Sequence, residues 1–187
     1  IFNAMLYGIQ QGGVRRSAGM GLLSMYQPDI LKFIRAKEDL NKIKRFNFSI
    51  KINNEFYQKL KRDPKSTWQV ILKDGTKTDL IEDGKPVTVQ QLWELIIENA
   101  WKVAEPGIFN EDIAFERCTV TNISKTVLAN PCSEFVNIPY ASCNLGSINL
   151  SKMVDGKKFD WERYTELITH STRFLDSVIN QNNFPIP

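Results

Sequence analysis

The chain has 187 residues, 42% of them hydrophobic and 24% charged, with a formal net charge of +3. That is about one domain of chain, apolar enough to bury a core and too apolar to be disordered. The basic residues are scattered, no run approaches the roughly 20 apolar residues of a membrane span, and three cysteines make an odd count unsuited to a disulfide framework. These features argue against nucleic-acid and membrane partners and favour a reducing, cytoplasmic setting.

Phe2, Met5, Leu6 and Ile9 have helical spacing, with Gly12-Gly13 as the stop. MGLLSMY at 20–26 is an apolar run of strand length. Pro28-Asp29 then opens a helix from Ile30 to about Lys37. Lys42, Lys44 and Arg45, with Lys51, lie close to Glu38-Asp39 and read as a solvated face. FNFSIKI at 46–52 alternates as a strand, and a helix follows from Asn54 to about Lys61. This alternation predicts an α/β fold with parallel strands.

Trp68–Leu72 and Thr78–Ile81 flank Asp74-Gly75, which predicts a β-hairpin. Thr88-Val89-Gln90-Gln91 is a capping box that starts a helix to about Val103. Pro106-Gly107 ends that unit, and residues 108–130 read as loop. A clean apolar stripe from Trp161 through Tyr164, Leu167, Ile168, Phe174 and Leu175 to Ile179 predicts a helix over 160–180 that packs on a sheet. The chain lacks an initiator methionine, opens in mid-pattern and closes on FPIP, so it reads as an excerpt of a longer protein.

The chemistry-bearing stretch is Asn130-Pro131-Cys132-Ser133-Glu134. In an extended segment Asn130, Cys132 and Glu134 share one face, a thiol between an amide and a carboxylate. The carboxylate disfavours a thiolate and leaves room for a neutral thiol that reacts by losing a hydrogen atom. The same pattern also fits a small structural cysteine in a polar loop. Cys143 follows eleven positions later; redox pairing of the two is conceivable, although there is no close-spaced pair. The three cysteines and the single histidine, His170, have no zinc-ligand spacing, so no metal site is expected. His170 reads as a partly exposed helix residue, and Cys118 as structural. Gly12-Gly13-Val14-Arg15-Arg16 fits phosphate binding or a turn with a structural arginine alike.

Taken in order, GGVRRSAGMG at 12–21, Pro28-Asp29-Ile30, FNFSI at 46–50, PGIF at 106–109, NPCSE at 130–134, SCNLGSINL at 142–150 and the closing RFLDSVINQNNFPIP resemble the catalytic (large) subunit of ribonucleotide reductases. The wording is most similar to the adenosylcobalamin-dependent class II. The resemblance implies a single partial catalytic-barrel domain over 1–187, part of a ten-stranded α/β barrel with a finger loop at about 128–143. It implies Cys132 as the thiyl-radical residue that takes the 3′-hydrogen of a ribonucleotide, Glu134 as the base at the 3′-hydroxyl and Asn130 as a substrate hydrogen-bonding residue. Cys143 becomes one of two cysteines that deliver reducing equivalents, its partner lying outside this chain. Ser133 stands where the resemblance would have a glycine.

The implied activity is ribonucleoside diphosphate or triphosphate reduction for DNA synthesis. Adenosylcobalamin and a dithiol reductant such as thioredoxin are the implied co-reactants. Nucleotide effectors are expected on segments absent here, and the excerpt alone is expected to be inactive and prone to association. Two alternatives stand beside this: a class I type subunit that needs a separate radical-generating subunit, or a non-catalytic fragment that assembles with complementary pieces.

Overall fold

The computed structural model of the chain describes residues 1–11 and 15–183. Ile1–Pro139 and Tyr140–Pro187 form two compact units. In the first, helix α1 (Phe2–Gly8) precedes an antiparallel ladder of β1 (Gln10–Gln11) with β2 (Arg15–Arg16). The helix stop expected at Gly12-Gly13 lies outside the described residues. Next come β3 (Gly19–Ser24), α2 (Ile30–Arg35), β4 (Phe46–Ile52) and α3 (Asn54–Arg62), close to the positions the spacing predicts.

β3 and β4 run parallel, Gly19 opposite Phe46 and Gly21 opposite Phe48. Close approach explains the glycines: a Cβ at Gly21 would sit 2.7 Å from the Phe48 ring, and one at Gly19 would run into Phe46. On Phe48 the α2 residue Phe33 stacks at 4.6 Å between ring centroids.

The predicted Asp74-Gly75 hairpin forms between β5 (Gln69–Ile71) and β6 (Lys77–Asp79). A second hairpin, not anticipated, pairs β7 (Ile81–Glu82) with β8 (Lys85–Pro86). Its Asp83-Gly84 turn has two positive φ angles, 48° and 74°, the geometry that suits the twist of a tight hairpin. Helix α4 (Val89–Val103) begins with the expected capping box: Gln91 N–H donates to Thr88 Oγ1 at 3.2 Å, and Thr88 N–H donates to Gln91 Oε1 at 2.9 Å.

Residues 108–130 are not simply loop. β9 (Gly107–Asn110) pairs in parallel with β4 and completes a three-stranded sheet of order β3-β4-β9, and α5 (Glu111–Arg117) follows at once. A four-residue strand is too short to show periodicity; pairing defines it. Glu105 prepares the junction, its Oε2 accepting the Phe48 N–H at 2.9 Å while Oε1 lies 2.7 Å from Lys37 Nζ. Lys51 departs from the solvated face expected for it, because its ammonium lies 2.6 Å from Glu111 at the start of α5.

The core collects Met25, Ile30, Ile34, Ile50, Phe56, Trp68, Leu92 and Ile96 between sheet and helices. Trp68 is fully buried, its indole N–H donating to the Met25 carbonyl at 2.9 Å and its ring 5.2 Å from Phe56. Two short strands, β10 (Leu128–Ala129) and β11 (Val136–Asn137), end the unit as an antiparallel pair, with β10 against β3.

In the second unit a 3₁₀ turn (Leu150–Met153) leads to a hairpin of β12 (Val154–Asp155) and β13 (Lys158–Phe159), then to α6 (Trp161–Gln181). Asp160 caps α6, accepting the Arg163 N–H at 2.9 Å. The helix stands where its stripe predicts, but not packed as expected. No α6 residue is buried, and Trp161 and Phe174 are each 69% exposed. Within this unit the chain around Gly146 runs along the stripe, where a Cβ on Gly146 would sit 3.5 Å from the Leu175 side chain. The α/β class holds. Among the described residues the largest sheet has three strands and no barrel closes.

Candidate active site

Asn130 to Phe135 form the tip of the β10–β11 hairpin. The tip is a turn and not the extended segment that alternation suggested. Ser133 N–H donates to the Asn130 carbonyl at 2.9 Å, closing a β-turn with Pro131 and Cys132 at its corners. Proline accounts for this: it is locked at the φ that the first corner requires, and Asn is favoured just before it. Ser133 follows with φ of +60°, a left-handed conformation that favours glycine. The glycine suggested by the resemblance and the serine present therefore meet the same backbone demand, the serine at greater strain.

Asn130 holds the tip from the other side. Its N–H donates to the Phe135 carbonyl at 3.2 Å, and its side-chain Oδ1 accepts the Phe135 N–H at 3.1 Å. In a regular ladder the Asn130 carbonyl would take that N–H, but here it is turned toward Ser133. The side-chain oxygen substitutes for it. Sequence reasoning did not pick out Phe135 or the strain at Ser133; the Asn-Pro pair was the available turn signal.

With the turn formed, Cys132, Ser133 and Glu134 are exposed at the apex and Asn130 is half-buried at its base. Among the described residues Glu134 makes no hydrogen bond or ion pair, so its carboxylate is free for an incoming group. The Cys132 thiol is likewise free and unbridged. This apex offers a thiol and a carboxylate to a ligand, with an amide behind them.

Cys143 belongs to the second unit and is exposed and unbridged. Its neighbour Asn144 anchors the segment, donating from Nδ2 to the Leu175 carbonyl of α6 at 2.7 Å. An apolar groove of about 700 Å³ lies next to it, lined by Leu145, Ile148, Tyr164, Ile168, Phe174 and Leu175 among others. Cys118, half-buried, closes α5, its N–H donating to the Ala114 carbonyl, in keeping with a structural role. His170 is exposed on α6, 3.6 Å from Glu166. Among the described residues no three His, Cys, Asp or Glu side chains gather as a metal site. Of the proposed phosphate loop, residues 12–14 lie outside the described residues, while Arg15 and Arg16 form β2.

The sequence model of the family described as "Ribonucleotide reductase, barrel domain" matches residues 1–187. The chain belongs to that family. It is 41% identical over 188 residues to the vitamin B12-dependent ribonucleoside-diphosphate reductase of Thermoplasma acidophilum, a match covering 100% of this chain and 24% of the relative. To the enzyme of the same name from Mycobacterium tuberculosis it is 32% identical, covering 96% of this chain and 25% of the relative. The vitamin B12-dependent ribonucleotide reductase of Streptomyces coelicolor is 29% identical over 93% of this chain and 20% of its own length. The chain thus spans about a quarter of these ribonucleotide reductases.

Proposed function

We propose that this chain is the part of a class II, B12-dependent ribonucleotide reductase catalytic subunit that carries its radical cysteine. The observation that carries the reading is the hairpin tip, which exposes Cys132 and Glu134 together on a chain matched throughout by the reductase barrel family. In this reading residues 1–187 are one partial barrel domain, the hairpin is the finger loop at the centre of the ten-stranded barrel, and a ribonucleotide sits over the tip.

The chemistry balances as follows. The Cys132 sulfur, as a thiyl radical, takes the hydrogen atom from C3′ and becomes a thiol. Glu134 accepts the 3′-hydroxyl proton while the C2′–O bond breaks and the oxygen leaves as water. A pair of thiols, Cys143 and a second cysteine outside this chain, supplies two protons and two electrons. One proton leaves with the 2′-oxygen as water, and the other ends as the new hydrogen on C2′. The two sulfurs end as a disulfide, and Glu134 returns its proton to the 3′-oxygen. Cys132 then returns its hydrogen atom to C3′. A dithiol reductant such as thioredoxin restores the pair. A neutral thiol suits this role, because hydrogen-atom transfer needs the S–H bond and not a thiolate.

Adenosylcobalamin is the cofactor suggested by the names of the relatives, and what it would supply is the oxidising radical at Cys132. Among the described residues no cluster of His, Cys, Asp or Glu side chains offers ligands for a metal, and of this chain's residues only the exposed Cys132 thiol is assigned a part in that chemistry. No step is therefore routed through the cofactor.

The test uses the full-length enzyme that contains this segment. Cys132→Ala is expected to abolish deoxynucleotide formation while leaving the unfolding midpoint unchanged, since the thiol is exposed. Retained turnover overturns the reading. The isolated 187-residue chain is expected to show no ribonucleotide reduction above the Cys132→Ala background.

A further inference from the structure

The three-stranded sheet has two unlike faces. Ile50 and Ile52 of β4 are fully buried in the core beneath the helices. Ser49 and Lys51 alternate with them along the strand and so face the other way. On that side Phe109 of β9 stands in register with Lys51, buried but outside the core that the helices share. Val127 is also buried outside that core, and it lines one small cavity of about 190 Å³ with Lys51, Glu111, Asp112, Phe115 and Lys125. It is the last buried residue before the hairpin tip that carries Cys132.

An ion pair frames the cavity. Lys51 Nζ lies 2.6 Å from Glu111 Oε2, and the two side chains are 18% and 28% exposed. A sheltered pair is screened less than a surface pair and holds its partners more firmly. Lys51 belongs to the central strand and Glu111 opens α5 directly after β9, so the pair ties α5 to the carboxyl end of β4. Asp112 adds a second tie, accepting the Asn54 N–H at 2.7 Å. The seat of Val127 is thereby fixed. The hairpin needs such footing, because its strands are two residues each and a short hairpin has little stability of its own.

We propose that Lys51 and Glu111 are positioning residues for the radical chemistry, acting through the hairpin and not on the substrate. Their ion pair seats Val127 at the root of β10 and so sets where Cys132 meets the ribose. The catalytic half of this rests on the reading of Cys132 given above; the seating of the hairpin does not. Hydrogen-atom transfer needs its reacting atoms near contact, and a misplacement of about 1 Å costs about a hundredfold in rate. A lysine that reads as surface charge in the sequence thus helps to aim the thiol.

In the full-length enzyme Lys51→Met keeps the aliphatic stem and removes the charge, whereas Lys51→Arg keeps the charge. In the methionine variant, hydrogen exchange read by mass spectrometry should quicken about tenfold over residues 125–137, the scale of one charge-assisted hydrogen bond. Over α4 it should stay within about twofold of wild type. Turnover should fall about tenfold or more, with KM within about twofold of wild type. The isotope effect on kcat with 3′-deuterated ribonucleotide should rise, because hydrogen transfer to Cys132 becomes rate-limiting. Lys51→Arg should recover most of the loss.

If Lys51→Met does not fold, Lys51→Met with Glu111→Gln leaves no sheltered charge unpaired, and the same changes are expected of it. The proposal is overturned if exchange over 125–137 matches wild type or quickens equally over α4. It is overturned as well if the loss sits in KM with the isotope effect unchanged, or if the arginine variant recovers nothing. Failure of the reductase reading is a separate result, turnover that survives Cys132→Ala.

Discussion

The two units bury their apolar residues to very different degrees. In the first, Trp68, Phe56 and Met25 are fully inaccessible and the helices close over a parallel sheet. In the second, a 21-residue amphipathic helix buries nothing, and an irregular strand of chain runs along its stripe. Both contain a candidate cysteine at an exposed position, but on unlike supports. The turn bearing Cys132 is locked by its own hydrogen bonds, whereas the segment bearing Cys143 is tied to α6 through the neighbouring Asn144 side chain. A helix with a strong stripe and no buried residue is one whose packing partner is not in hand.

The sharpest way to break this contrast is at Trp68. Trp68→Ala should cost about 3–5 kcal/mol and leave the Met25 carbonyl without its partner, measured by chemical denaturation of the chain. A cost below about 1 kcal/mol would mean that the first unit is not the better-packed one. A smaller effect, dependent on context, is expected at Phe174. In the isolated chain Phe174→Ala should shift stability by no more than about 0.5 kcal/mol. In the full-length enzyme the same change should cost about 3 kcal/mol or more, as the face becomes covered. Equal and small values in both settings would show a face that stays bare.

The smallest effect concerns pH and the first unit alone. The hydrogen bond from Tyr26, at 2.6 Å, holds the Glu55 carboxyl below its usual range, while burial first and this bond second push Tyr26 up to about 12. A carboxyl depressed in the folded state adds stability above its unfolded pKa and loses it as pH falls through the folded value. Glu55→Gln should therefore flatten that part of the acid stability profile in denaturant titrations between about pH 5 and about pH 3. Tyr26, monitored by phenolate absorbance, should titrate earlier in the variant yet still above its ordinary value, because burial remains. An unchanged acid profile would remove the pair from the stability of the unit.

Most of the first unit was legible because its signals are local. The capping box at Thr88, the Asp74-Gly75 turn and the alternation of Phe46–Ile52 each act over a few residues and survive into the structure. β9 was not legible, since Gly107–Asn110 becomes a strand only by pairing with β4, more than fifty residues earlier. α5 was readable in hindsight: Asn110 followed by Glu111-Asp112 is a cap with an acidic first turn, and Asn110 does accept the Ile113 N–H at 3.0 Å. At the candidate site the residue types were evident and the geometry was not. Pro131 is compatible with an extended chain and with a turn corner alike, and the Asn130–Phe135 contacts decide between them. For α6 the sequence carried the helix but not its burial, which depends on atoms beyond the helix itself.

The strand order β3-β4-β9 has a consequence for the timing of synthesis. β4 leaves the ribosome with one edge already matched by β3, while its other neighbour lies beyond 54 intervening residues. That is a wait of about 3–11 s at the roughly 5–20 residues per second of translation. During it, the central strand has an open flank that nothing local can fill, since β5 to β8 pair only among themselves. The nascent chain must carry that flank, shielded or not, until Gly107 emerges to meet Ser49.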